Sequence, residues 1–279
     1  MKVSSIVMIF TLAIVQDSVA QENEKRKVTR VLTDLGQFSV RVGMSGVKPL
    51  KQDSVSGATR LSYEGGVSYG IGKRLNIDVD FSTASFDPHF DFDDYVAPFR
   101  NKEFITVNKK RTHAQKTNIA LGLAYNIPVA VRSSVNLSFH SGVSITRYPD
   151  FTVIQTNDNG TTSTVAKYSA PVTMTPGTVM LRPAVGFNHK INRKTGFYVT
   201  ARYQTDLNSK GFETTYKDLS NVDFTLPDRE VQYQIERAPV ITTNTSGIKK
   251  MISFGAGVTI HFGGKIRGGI EDKGTDVGM

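Results

Sequence analysis

At 279 residues and 39% hydrophobic content, the chain has room for one domain of moderate size or two small ones, and a mean hydropathy of −0.23 shows that no long apolar helix dominates it. The absence of cysteine excludes disulfide staples and an acylated N-terminal cysteine. A net charge of +9 points to an anionic partner, and no nucleic-acid motif accompanies it.

The first twenty residues read as an export signal. Met1-Lys2 is a short positive start, VSSIVMIFTLAIV is an apolar run too short to span a bilayer, and Ser18-Val19-Ala20 is a small-x-small cleavage site. Gln21 is then the first mature residue. Lys2 and Asp17 leave together, so the mature charge stays at +9. For an exported protein, lipid head groups are the better anionic partner. Residues 21–36 read as a short N-terminal segment before the fold.

From Phe38 onward the sequence alternates apolar and polar residues in eight runs: 38–45, 61–71, 75–82, 118–126, 135–145, 179–188, 197–204 and 252–262. Tight connections follow the second, fourth and sixth runs. The other connections are long, about 14, 30, 30 and 40 residues. Short turns at one end and long loops at the other predict an all-β, eight-stranded antiparallel up-and-down transmembrane barrel over residues 37–262, with periplasmic turns and extracellular loops. Closure pairs every backbone group inside lipid.

The content of the two faces separates a membrane barrel from a soluble one. One face carries Arg41, Glu64, Asp78, Asp80, His140, Arg182 and Arg202 among many glycines and serines. That set suits a narrow interior of small residues and paired charges. The apolar face has aromatics near both strand ends, as interfacial girdles require: Phe38, Tyr69, Tyr125, Phe187 and Phe262 at the turn end, and Tyr63, Phe81, Phe139, Tyr203 and Phe254 nearer the loops. Pro183 cannot donate to a ladder, so a bulge or local break is expected there.

The eight-run pattern, the turn GIGKRLN, the stretch LRPAVGFNHKINRKTGFYV and the final aromatic strand resemble the small Gram-negative outer-membrane barrels of the OmpA/OmpX type, and especially the outer membrane protein beta-barrel domain group. The resemblance implies a barrel made by the assembly machinery. It also implies an assembly signal in the last strand, matched here by Gly257, Ile260 and Phe262. The tail 263–279 departs from the many relatives that end at the aromatic residue, and it is expected to be a disordered periplasmic segment.

The interior charges are expected to pair, because an unpaired charge in a narrow interior costs several kcal/mol. Pairing yields a salt-bridged plug, with a switchable gate as the alternative. Phe86–Tyr95 clusters Asp87, Asp91, Asp93 and Asp94 with His89; this reads as a solvated acidic loop rather than a Ca²⁺ site, because the spacing does not fit an EF-hand. Arg60, Lys109, Lys110, Arg111, Lys116, Arg147, Lys249 and Lys250 fall near the loop ends of strands, where they are candidates to grip lipopolysaccharide phosphates. In the loops, FTVIQT and TTSTVAKY around Asn157–Gly160 read as a hairpin, and EFITV (103–107) and EVQYQI (230–235) as further strands of a protruding sheet whose edges can add a partner strand. Ser138 and His140 share a face without an acid partner by spacing, so no catalytic set, cofactor or metal is expected.

The reading is a monomeric, non-catalytic surface protein with lipid, lipopolysaccharide and an extracellular protein as partners. A narrow channel is the alternative, and a lipid A-modifying enzyme or secretion component the third possibility.

Overall fold

A computed structural model describes residues 36–50, 55, 57–88, 90–169, 177–192, 194–207, 212–245 and 247–263. The expectations for the export signal, for residues 21–35 and for the tail from 264 lie outside these residues. Thirteen strands form among them. Eight close a barrel in the order β1-β13-β10-β9-β6-β5-β3-β2. These are β1 (Gln37–Pro49), β2 (Arg60–Gly70), β3 (Leu75–Phe86), β5 (Ala114–Pro128), β6 (Ser133–Arg147), β9 (Thr178–Lys190), β10 (Thr195–Asp206) and β13 (Lys250–Gly263). They are the eight runs read from the sequence, seven of them lengthened and the second shifted by one residue to Arg60–Gly70.

The last strand closes on the first in the expected place, with Phe38 opposite Phe262 and Met44 opposite Ala256. Pro183 makes a local break, the second of the two expected outcomes. Its pairing with Phe139 on β6 is intact, but the β9–β10 partners skip from Arg202–Ala184 to Thr205–Leu181. The register is the same on both sides of the gap, so the missing N–H interrupts the ladder without a bulge.

The remaining strands stand above the long-loop end in a five-stranded sheet, β12-β11-β8-β7-β4. They are β4 (Ile105–Arg111), β7 (Asp150–Thr156), β8 (Thr162–Ser169), β11 (Phe212–Lys217) and β12 (Val240–Thr245). Two helices pack on this sheet, α1 (Phe92–Val96) and α2 (Asp228–Arg237), with a 3₁₀ turn at Ala97–Phe99. The expected β7–β8 hairpin is present, and Ile105–Val107 of EFITV open β4, with Glu103 and Phe104 in the turn before it.

EVQYQI is a correction: it forms α2, not a strand. Within six residues Val231 and Ile235 satisfy period two and the i, i+4 spacing of a helix alike. Tyr233 decides between them. In a half-buried strand it would share the face of Val231 and Ile235, whereas here it is 52% exposed while they are buried. Asp228 and Glu230 in the first turn and Arg237 in the last complement the helix dipole. Lys217 Nζ donates to the carbonyls of Ile235 and Glu236, satisfying the helix C-terminus from the neighbouring strand. Burial lowers the Lys217 pKa from its ordinary value.

A conventional apolar core lies under this sheet. Phe92 meets Phe151 edge-on with ring centroids 3.8 Å apart, and Tyr168 closes on Phe92 at 5.1 Å. The same cluster takes in Val47, Phe86, Ile248 and Met251 from the ends of barrel strands and their approaches. The upper unit is therefore continuous with the barrel mouth.

Candidate functional site: the barrel interior and its extracellular unit

Inside the barrel, several of the polar contacts reach across glycines. Tyr198 on β10, Gly257 on β13, Gly43 on β1 and Glu64 on β2 form one cross-strand row. Tyr198 lies over the two glycines and donates its hydroxyl to Glu64 Oε1 at 2.9 Å. A Cβ at Gly257 would stand 2.7 Å from the Tyr198 hydroxyl and collide with the Val42 carbonyl oxygen. Arg41 likewise passes Gly66 to reach Asp80 at 2.8 Å, and also bonds Asp78 at 3.1 Å. His140 passes Gly122, bringing Nε2 to 3.6 Å from Asp78 and 3.3 Å from Asp80. The glycines are troughs for the long side chains that cross-link the interior.

Arg182 completes this layer through Asp80 at 3.0 Å, and Arg202 binds Glu64. All seven interior residues read from the sequence are thus brought together. Sequence reasoning missed Tyr198 as a member. It also missed a second layer nearer the loops.

Lys116 is the correction here. It was expected at the rim, but it is buried, with Nζ 2.5 Å from Asp206 and 2.8 Å from the Ile248 carbonyl. Gln204 donates to both Asn118 and Asp206, and Thr178 donates to Asp206. Strand parity carried the signal, because Lys116 shares the inward face with Asn118 and Ala120, and Asp206 with Arg202 and Gln204.

Arg41, Lys116, Arg182 and Arg202 face Glu64, Asp78, Asp80 and Asp206, so these buried charges balance. The gap lined by Arg41, Glu64, Asp80, Arg182, Tyr198 and Arg202 is too small to hold a water molecule. A polar pocket of about 50 Å³ at the short-turn mouth ends at Arg41 and Asp78.

The opposite face of these strands carries the deciding observation. Phe254 is 66% exposed, Val42 64% and Leu121 59%, with Tyr63, Phe139, Tyr69 and Phe262 exposed toward the two ends, while Asp78 and His140 inside are 1–2% exposed. A continuous outward apolar band around a charged interior is stable only where the surroundings are hydrocarbon. The chain is an eight-stranded membrane-spanning β-barrel.

No family model and no curated protein matches this barrel. Solved structures do. Neisserial surface protein A matches at 14% identity and a TM-score of 0.41, over 81% of this chain and 99% of that one. OprG of Pseudomonas aeruginosa matches at 12% and 0.43, over 82% and 97%. The attachment invasion locus protein Ail of Yersinia pestis, solved with the heparin analogue sucrose octasulfate, matches at 10% and 0.38, over 82% and 99%.

The extracellular cations are dispersed. Lys109, Lys110 and Arg111 lie on β4 of the upper sheet, not on the barrel rim. Lys109 bonds Asp93 at 2.5 Å, and this hydrogen bond holds the Asp93 carboxyl below its usual range. Lys110 stands 3.8 Å from Asp150, and Arg60 pairs with Asp87. Arg147, Lys249 and Lys250 are exposed at strand ends or next to them. The acidic stretch has structural work that the sequence reading did not assign. Asp91 accepts from the backbone N–H groups of Asp93 and Asp94 and caps α1, and Asp87 also meets His113 at 3.1 Å.

The sheet edges differ. β4 carries Lys109, Lys110 and Arg111 and a register shift between Lys109 and Arg111. β12, VITTNT, has no charge, proline or register shift, and Val240 is 64% exposed. Asp218 N–H bonds the Pro239 carbonyl at 2.8 Å, which sets the alternation along β12. Ile241 and Thr243 then direct their backbone groups toward β11, and Val240, Thr242 and Asn244 direct theirs outward.

Proposed function

We propose that this chain is a non-catalytic surface-interaction protein: a plugged barrel that anchors a folded β-unit outside the cell. The observation that carries this reading is the division of polar and apolar packing between its two parts. The lumen is crossed by charge pairs, Arg41–Asp80 and Arg202–Glu64 among them, and the gap between them is too small for a water molecule. The long loops are spent on a sheet with its own core, which a structural barrel or a pore does not need. Of its two edges, β4 has the cations and irregularity that block strand addition, and β12 has neither. The β12 edge is the place where an extended partner segment adds, taking its main-chain bonds from Val240, Thr242 and Asn244. Lipopolysaccharide phosphates are the proposed lipid-side partners of Arg147, Lys249 and Lys250, and the barrel-assembly machinery is the proposed reader of Gly257, Ile260 and Phe262.

Adhesion or aggregation of a non-adherent strain displaying the protein tests this. Display is expected to increase attachment, and Thr242→Lys or Thr242→Pro to reduce it at equal surface abundance. Equal attachment with and without the protein contradicts the proposal.

A further inference from the structure

The outer surface of the extracellular unit holds a groove that neither the barrel nor the β12 edge uses. It lies between the β7–β8 turn and α2, around Asp158, Asn159, Glu230, Tyr233 and Glu236, and is open to solvent, with a volume of about 530 Å³. That is within the range of small-molecule sites, about 300–1,000 Å³.

Its two walls are tied together. Gln155 donates from Nε2 both to Asn157 Oδ1 at 2.8 Å and to the Gln232 carbonyl of α2 at 3.3 Å. The turn is fixed in itself, with Asn159 Oδ1 accepting from the Thr161 N–H and hydroxyl, and Gly160 at φ +76° supplying the left-handed residue. A groove whose walls are already locked loses little freedom when a ligand enters.

One aromatic ring stands in the groove. Arg237 lies 4.1 Å over the Tyr233 ring and covers one face, and the residue as a whole is 52% exposed. The π face of an aromatic ring attracts the polarised C–H groups on the flat side of a pyranose. Carboxylates and amide oxygens accept from neighbouring sugar hydroxyls, and amide N–H₂ groups donate to them. The charge of the site selects among saccharides. Asp158, Glu230 and Glu236 outnumber Arg229 and Arg237, and Arg229 already faces Asp158 at 3.9 Å. A sulfated or phosphorylated ligand would meet net negative charge here.

We propose that this groove binds a neutral saccharide of one or two pyranose rings, with Tyr233 as the stacking platform and Glu230 and Asn159 as hydroxyl partners. The proposal rests on the reading of the extracellular unit as an interaction surface and gives that surface a ligand class. The test is an array of neutral, amino and sulfated oligosaccharides probed with the full chain folded in detergent. Neutral saccharides are expected to bind. Tyr233→Ala weakens binding about tenfold, the loss expected for one stacking ring, and Tyr233→Phe retains it. Glu230→Gln weakens it by a smaller factor, and Thr242→Lys on the β12 edge leaves it unchanged. Binding of sulfated saccharides alone, binding of none, or neutral binding that survives Tyr233→Ala overturns the proposal. If saccharide binding is absent but Thr242→Lys still abolishes attachment, the groove is refuted and the surface-interaction reading stands. If neither effect appears, both fall.

Discussion

Between Phe38 and Phe262 the barrel buries Asp78, His140 and Arg182 and exposes Val42, Leu121 and Phe254, whereas the extracellular unit buries Phe92, Phe151 and Ile235 and exposes Lys110, Asp158 and Asn159. The two halves of one chain are inside out relative to each other. The reason is the solvent. Hydrocarbon outside the barrel removes the penalty for exposing leucine, and it forces every polar group to find its partner inside. Above the membrane, water restores the usual preference. Cohesion in the barrel therefore comes from charge pairs and hydrogen bonds, and in the upper unit from apolar contact. Substitutions of similar size should have opposite consequences in the two regions.

The largest effect is expected at Asp80, which is shared by Arg41 and Arg182. Asp80→Ala leaves buried guanidinium charge uncompensated and should cost about 3–5 kcal/mol. The check is loss of the heat-resistant folded band in electrophoresis. Phe151→Ala should cost about as much at most, about 3–5 kcal/mol, but only in the upper unit. Limited proteolysis should then cut the extracellular loops while the barrel band persists; a barrel that melts with it would merge the two regions into one cooperative unit. Gly257→Ala sharpens the comparison inside the barrel, since its methyl meets both the Val42 carbonyl of β1 and the Tyr198 hydroxyl that bonds Glu64. A cost of about 1–3 kcal/mol is expected, read as a lower urea midpoint in lipid vesicles. Leu121→Ala is the smallest change. A buried leucine in a water-soluble core would lose about 2–5 kcal/mol, but facing lipid it should lose about 0.5 kcal/mol or less in the same titration.

The barrel was legible because period-two alternation is local and survives without knowledge of partners. The strand positions, the closing pair Phe38–Phe262 and the interior set from Arg41 to Arg202 all follow from parity. Parity also held the answer for Lys116, but its nearness to a strand end outweighed the face it shares with Asn118. The upper unit was less legible. Its sheet joins β4, β7–β8 and β11–β12 from three separate loops, and that order depends on pairings such as Ile105–Gln155 and Ala166–Tyr216, which no local pattern announces. EVQYQI failed because six residues are too few to separate two periods when Val231 and Ile235 satisfy both. The groove at Tyr233 carries no sequence signal, since it exists only where α2 meets the β7–β8 turn.

The claim that the barrel is a closed anchor and not a passage is tested most directly by single-channel recording in planar bilayers. The purified full chain is predicted to insert without conductance steps, because Arg41, Asp80, Arg182, Glu64 and Arg202 interlock across the lumen. Steady ion steps from the native protein that disappear in Arg202→Ala or Glu64→Ala would contradict the account and make the charge layer a working part of a pore.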